Sequence, residues 1–147
     1  MIMEHLGKKI KRIRTELGFK QSTLHDNQSE VSQIEGDNNW ALLIDPDGYI
    51  TEGTGDNFFM VKDGEIYTPE GRNILRGISR DYIFELADQL SIPCHETNIE
   101  PYDLYNADEA FLTGTPFGII PTTQLNGLDI GDGKMGEVTK LLLKKAK

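Results

Sequence analysis

Long apolar runs, disulfide-forming cysteine pairs and a net positive charge are all missing from this sequence. Cys94 is its single cysteine, which excludes a disulfide within the chain, and its neighbours Ile92 and Pro93 favour a buried structural thiol. No apolar stretch approaches the roughly 20 residues that cross a bilayer, and residues 1–9 contain no apolar signal core. We therefore expect a globular protein in the cytoplasm, with no membrane partner.

Positive charge is scarce over most of the chain but is concentrated at its start. The formal net charge of the 147 residues is −9. Residues 1–20 nevertheless contain six basic residues, whereas the acidic excess lies in residues 38–147. The acidic part is poorly suited to nonspecific nucleic-acid binding, because the phosphates repel it. The three histidines, His5, His25 and His95, show no spacing typical of metal ligands, so we expect no metal site.

The hydrophobic pattern changes near residue 38 and divides the chain into two predicted parts. Residues 1–38 indicate short helices, the first of them amphipathic and covering residues 4–17. Residues 39–147 indicate a strand-rich domain with two principal helices, and this order predicts an α+β fold. Ser79 is predicted to be the N-cap of the first of these helices. The predicted strands cover residues 40–44, 49–51, 57–61, 66–67, 92–97, 109–113 and 119–125, and the second helix covers residues 134–145.

Three short segments in the strand-rich part combine glycine with polar residues near predicted turns. They are residues 51–59 (TEGTGDNFF), 75–80 (LRGISR) and 111–115 (FLTGT). Taken singly, they are explained by a hairpin turn with glycine at positive φ, by a helix N-cap and by a turn that ends a strand. Backbone N–H groups at the start of a helix also bind phosphate, so the second segment is also compatible with an anion site.

In this order, the three segments resemble the cofactor-binding segments of the class IV pyridoxal-phosphate (PLP) aminotransferases, the branched-chain aminotransferase family. The resemblance covers about residues 40–146 and includes residues 41–49, 105–110 and 130–134 between the motifs. It implies a PLP-binding subdomain, a homodimer, and amino-group transfer from a branched-chain amino acid to 2-oxoglutarate. The small-molecule partners would then be an amino acid and a 2-oxo acid.

The first two segments would contact the cofactor ring if this resemblance holds. Glu52 matches the family's carboxylate beside the ring nitrogen of PLP, and Asn57 belongs to the same stretch. A carboxylate at that place keeps the nitrogen protonated, which the cofactor needs in order to accept electrons. Leu75 matches the position that packs on the ring.

The resemblance places phosphate-binding residues at two places in the chain. Gly77, Ile78 and Ser79 match the family's phosphate site at the start of a helix, where the Ser79 hydroxyl adds a donor. Thr115 matches a second phosphate donor. The resemblance also brings the turn after the strand close to the substrate carboxylate, which makes Thr115, Pro116 and Phe117 candidate substrate residues.

The family's catalytic lysine, which attaches the cofactor covalently, lies thirty-odd residues before the carboxylate matched by Glu52. That spacing falls near residues 18–20, and Lys20 is the nearest candidate. A lysine there would also carry protons during transamination. The family's small N-terminal domain finds no room in these 147 residues. We therefore expect this chain to be incomplete, with weak or no activity by itself.

A second resemblance concerns residues 4–37, which are similar to the start of a Cro/C1-type helix-turn-helix domain. The basic helix would come first, and residues 28–35 would form the recognition helix with Gln28, Ser29 and Ser32 towards base edges. This similarity implies a DNA-binding regulator as an alternative function. A third alternative is a folded fragment with no activity.

Overall fold

The computed structural model describes residues 39–115 and 118–147, except for the side chain of Asn73. The predicted helix at residues 4–17 and the helix-turn-helix segment lie outside these ranges. The strands are β1 (Leu42–Ile44), β2 (Ile50–Gly53), β3 (Asn57–Lys62), β4 (Glu65–Pro69), β5 (Cys94–Thr97), β6 (Glu109–Gly114), β7 (Gly118–Thr122), β8 (Gln124–Leu125) and β9 (Leu128–Asp129). The helices are α1 (Ile78–Gln89), α2 (Pro101–Tyr105) and α3 (Glu137–Lys145), and a 3-10 turn covers Gly71–Asn73.

Seven of the described strands form one mixed sheet. Its path runs β1-β2-β3-β4-β5, while β6 pairs with β3 and β7 with β6. The pairs are antiparallel except β4 with β5, which run parallel because α1 carries the chain back between them. Two short strands, β8 and β9, form a separate hairpin. The α+β fold class predicted from the sequence is confirmed.

Alternation along the central strand β3 places two clusters of buried side chains on opposite faces of the sheet. Phe58 belongs to the first cluster and Phe59 to the second, as expected for neighbouring residues of a strand. The second face is covered by α1 and α3, with Leu142 of α3 in its core. Phe59 stacks on Phe111 of β6, with ring centroids 5.0 Å apart. Burial on both faces explains why β3 and β6 read as nearly continuous apolar runs.

Two buried charged side chains fix the helices against this sheet. The Arg80 side chain of α1 is 2% exposed and donates to the Pro69 carbonyl at 3.2 Å and to the Glu96 carboxylate at 2.8 Å. At the other helix, the buried Glu109 carboxylate of β6 accepts bonds from the N–H of Val138 and from both the N–H and the hydroxyl of Thr139. A carboxylate at the start of a helix also interacts favourably with the helix dipole.

Several element boundaries differ from those predicted. Helix α1 begins at Ile78 with Gly77 as N-cap, so the prediction of Ser79 as N-cap is wrong; the Gly77 carbonyl accepts from the N–H groups of Arg80 and Asp81. The C-terminal helix begins at Glu137 instead of residue 134. The Glu109 carboxylate caps this start by accepting from the Thr139 N–H. The predicted strand 119–125 is divided into β7 and β8, and the short helix α2 was not predicted. None of the helices in the described ranges has the length and hydropathy of a membrane span.

Candidate functional site

Strand register aligns three polar side chains at one end of the sheet. Glu52 of β2 pairs with Asn57 of β3, and Asn57 pairs in turn with Thr113 of β6. All three side chains are buried, with exposures of 8%, 6% and 1% respectively. Burial of polar side chains costs free energy unless they form hydrogen bonds with the protein or a ligand. A row of three such side chains therefore makes this end of the sheet the candidate site.

The Glu52 carboxylate is held in a fixed orientation by the loop that follows β4. Its Oε2 accepts a hydrogen bond from the Leu75 backbone N–H at 2.9 Å and lies 3.4 Å from the Asn57 amide nitrogen. The same Asn57 nitrogen donates to the Leu75 carbonyl at 2.8 Å. Asn57 therefore joins the carboxylate to the loop, which keeps the negative charge of Glu52 in one place.

The start of α1 lies beside this carboxylate and presents an uncapped helix N-terminus. A Cβ at Gly77 would lie 2.8 Å from Asn57 Oδ1, so the close approach of loop and strand requires glycine there. Within the described ranges, no side chain caps the helix at Gly77. The first N–H groups of a helix have no acceptor within the helix, so those of Ile78 and Ser79 are available to an anion. Ser79 itself is half-buried.

Two large apolar side chains stand exposed around the same helix start. Leu75 is 78% exposed and Ile78 is 86% exposed. Leu75 precedes the helix, and its backbone N–H holds the Glu52 carboxylate. An apolar flank beside one buried carboxylate and one anion-binding helix start suits a flat ring that carries a phosphate.

A second carboxylate, Asp56, is buried in the loop between β2 and β3. Its side chain lies against the Gly53 backbone so closely that a Cβ at Gly53 would overlap it. Neither carboxylate oxygen has a hydrogen-bond partner among the described residues. Burial and, to a smaller extent, the charge of Glu52 raise the pKa of Asp56 to about 7, against a smaller lowering by the Gly53 N–H.

Thr113 lies near the end of β6 and pairs with Asn57, and Thr115 follows in the turn after the strand. The Thr113 hydroxyl is buried without a partner in the described part of the chain, whereas Thr115 is exposed at the turn. Pro116 and Phe117, the other two predicted substrate residues, lie outside the described residues. The structure therefore brings the third motif to the site through Thr113.

Four of the predicted site residues in the strand-rich part lie together. Glu52, Asn57, Leu75 and Gly77 are in direct contact, and the helix start follows at once. Lys20 and the predicted DNA-contacting residues fall in the undescribed part of the chain; they are Gln28, Ser29 and Ser32. Sequence reasoning did not single out Asp56 or Thr113, because the burial of Asp56 depends on the folded loop and that of Thr113 on strand register.

Cys94 and His95 have local structural roles. Cys94 is half-buried, and burial raises the pKa of its thiol to about 11, so it is a poor nucleophile. The His95 ring packs at a tilt against Tyr67, with ring centroids 5.0 Å apart, and lies 3.6 Å from Glu65. Over residues 39–115 and 118–147, no group of histidine, cysteine and carboxylate side chains could hold a metal ion.

A known protein family matches this chain over most of its length. The family model for amino-transferase class IV matches residues 28–125. A branched-chain-amino-acid aminotransferase of Pseudomonas aeruginosa is 43% identical over 111 residues, which are 76% of this chain and 36% of that protein. The chain therefore spans well under half the length of this relative.

Solved structures agree with the sequence comparison. A branched-chain amino acid aminotransferase from T.th., solved with pyridoxamine 5′-phosphate, aligns with 99% of this chain and 49% of its own at a TM-score of 0.84 and 30% identity. The Escherichia coli enzyme aligns with 86% of this chain and 41% of its own at a TM-score of 0.80 and 36% identity.

The helix-turn-helix interpretation of residues 4–37 finds no support in these comparisons. The family match begins at residue 28, inside the segment interpreted as the recognition helix, and the first of the two solved structures aligns with nearly the whole chain. The family model, the similar sequences and the solved structures all agree with the order of the motifs and with the geometry around Glu52. This chain belongs to the class IV aminotransferases.

Proposed function

We propose that this chain carries the PLP-binding part of a branched-chain amino acid aminotransferase. The observation that supports this most directly is the buried Glu52 carboxylate, fixed by the Leu75 N–H at 2.9 Å beside the uncapped start of α1. A carboxylate for a ring nitrogen and a helix start for a phosphate are the two polar contacts that PLP needs at its opposite ends. The residues present therefore fit the cofactor.

Each residue of the site has a separate task in this proposal. Glu52 holds a proton on the ring nitrogen, and Asn57 keeps the Glu52 carboxylate in position. The N–H groups of Ile78 and Ser79, the Ser79 hydroxyl and Thr115 bind the phosphate. When bound, PLP supplies an electron sink for the carbon that carries the amino group of the substrate.

Lys20 is the proposed residue for covalent attachment of the cofactor and for proton transfer at the substrate carbon. Both tasks require an amine that loses its proton readily, which lysine provides in a desolvated site. The proposed substrates are a branched-chain amino acid and 2-oxoglutarate, with Pro116 and Phe117 near the substrate carboxylate. The structure alignments cover less than half of each relative's chain, so the full aminotransferase activity is proposed only for this part together with the rest of such an enzyme.

The same proposal extends to domain organisation and assembly. Residues 39–147 would form the cofactor-binding subdomain, and residues 1–38 a separate segment that precedes it. A homodimer is proposed on the same family resemblance. The two exposed apolar side chains at the site, Leu75 and Ile78, would then be covered by cofactor or by protein.

The test is binding of pyridoxamine 5′-phosphate, which needs no covalent bond to lysine. Dissociation constants are measured by calorimetry for the wild-type chain, for Glu52→Gln and for Glu85→Gln. Glu85 is exposed on α1 and gives the same change of charge away from the site. Because a hydrogen bond to a charged group contributes about 1.5–3 kcal/mol, we expect Glu52→Gln to weaken binding about 10- to 100-fold.

The control variant should bind as the wild type does. The proposal is wrong if the wild-type chain does not bind pyridoxamine 5′-phosphate. It is also wrong if Glu52→Gln and Glu85→Gln have the same dissociation constant, because the carboxylate would then make no contact with the ring nitrogen.

A further inference from the structure

Asp56 is a buried carboxyl group to which the proposed function gives no task. It is 6% exposed, its two carboxylate oxygens have no partner among the described residues, and it lies against the Gly53 backbone. A buried carboxylate without a donor is costly in its ionised form. The neutral form of the Asp56 carboxyl is therefore favoured unless a positively charged group lies nearby.

Glu52 and Asp56 lie close together in the chain but in contrasting surroundings. Glu52 accepts from the Leu75 N–H and lies within reach of the Asn57 amide, and these donors stabilise a negative charge. For Asp56, the Gly53 N–H is the one described group that lowers the pKa, and burial and the charge of Glu52 outweigh it. The negative charge of Glu52 therefore favours the protonated form of its neighbour Asp56.

We propose that Asp56 is a positioning residue that acts through Glu52: its buried carboxyl, neutral at mildly acidic pH, ionises more readily when the cofactor binds, and its ionisation strengthens the hold of Glu52 on a protonated ring nitrogen. This inference rests on the proposed function. By linkage, a cationic ring that binds more tightly to the ionised form must also favour loss of the proton from Asp56. The proton passes to solvent, and no bond of the cofactor changes.

The geometry of the turn places the Asp56 side chain over the Gly53 backbone. The Gly53 N–H donates to the Asp56 carbonyl at 3.1 Å, which closes the turn and folds the side chain back over Gly53. The pKa of Asp56, raised to about 7 by burial first and by Glu52 second, places its ionisation within the range of ordinary assays. Of the described charged groups, Glu52 is the one whose charge acts on Asp56.

The first experiment uses the chain without cofactor. The carboxyl carbon of Asp56 is titrated by NMR in the wild type and in Glu52→Gln. We expect a lower Asp56 pKa in Glu52→Gln, because the opposing charge is gone while the burial remains. An unchanged Asp56 titration would overturn the inference, since the two groups would not be coupled.

The second experiment measures pyridoxamine 5′-phosphate binding against pH for wild type, Asp56→Asn and Asp88→Asn. Asp88 is exposed on α1 and is the charge-matched control. The ratio of dissociation constants between variant and wild type cancels the ionisation of the probe itself. For Asp56→Asn we expect a ratio near one at about pH 6, rising to about five-fold weaker binding at about pH 8.5, where wild-type Asp56 is ionised.

The outcomes separate the inference from the proposed function. A constant ratio for Asp56→Asn with normal wild-type binding would overturn the inference and leave the proposed function in place. Absence of wild-type binding would overturn both. A purely structural role for Asp56 would weaken binding by the same factor at every pH. Equal changes in Asp56→Asn and Asp88→Asn would mean a general effect of charge, and this too would overturn the inference.

Discussion

The buried carboxyl of Asp56 should make the stability of this chain depend on pH in an unusual direction. Its pKa rises from 3.8 to about 7 on folding, because burial and the charge of Glu52 disfavour the ionised form. The folded chain therefore binds more protons than the unfolded chain between these two values. The contribution of Asp56 to stability is fully present at low pH and is lost as the pH rises through about 7.

The size of this effect follows from the shift itself. Each unit of pKa shift corresponds to about 1.4 kcal/mol of free energy. Between about pH 5 and about pH 7, the contribution of Asp56 to the free energy of unfolding therefore falls by about 3 kcal/mol at most. Asparagine at position 56 has nearly the same shape and no ionisation. Asp56→Asn should therefore gain stability over the wild type on going from about pH 5 to about pH 8, by up to about 3 kcal/mol.

Urea unfolding of wild type, Asp56→Asn and Asp88→Asn at both pH values measures this difference. Comparing variant with wild type at each pH removes the titration of every other group, and Asp88→Asn reports the effect of an exposed charge. The reasoning is refuted if the stability difference between Asp56→Asn and wild type is the same at both pH values. It is refuted equally if the wild type gains stability relative to the variant as the pH rises.

Two further substitutions test packing at the helix starts. Glu109→Gln removes the charge that holds the N–H groups of Val138 and Thr139, and should lower the free energy of unfolding by about 1–3 kcal/mol in urea titrations, against no change for Glu85→Gln. Gly77→Ala brings a Cβ to 2.8 Å from Asn57 Oδ1 and should weaken pyridoxamine 5′-phosphate binding about ten-fold in calorimetry by displacing the Asn57 amide. Gly55→Ala is its control, because a Cβ there meets nothing within 4 Å; equal effects of the two alanines would contradict the steric argument.

Local patterns were sufficient to predict much of the fold. The Asp63-Gly64 and Asn126-Gly127 pairs both adopt positive φ at hairpin turns, as such dipeptides predict. The β3 and β6 strands follow from their apolar composition. The start of α3 was misplaced because its cap is Glu109, a side chain 30 residues before Thr139 that only the folded sheet brings there.

The candidate site was predictable in its parts but not in its connections. Glu52, Gly77 and Ser79 were identified from short motifs and the family resemblance. The bond between Glu52 and the Leu75 backbone joins residues 23 positions apart, which no local pattern shows. Asp56 lies inside a motif that was recognised, yet its burial and missing donors are properties of the folded loop.

The most direct test of the account is covalent attachment of PLP to the chain. PLP is titrated while visible absorbance is recorded, the complex is reduced with borohydride, and the labelled peptide is identified by mass spectrometry. The account predicts one saturable band per chain, with the label on Lys20. Absence of a band, or a label scattered over surface lysines such as Lys144 and Lys145, would contradict it.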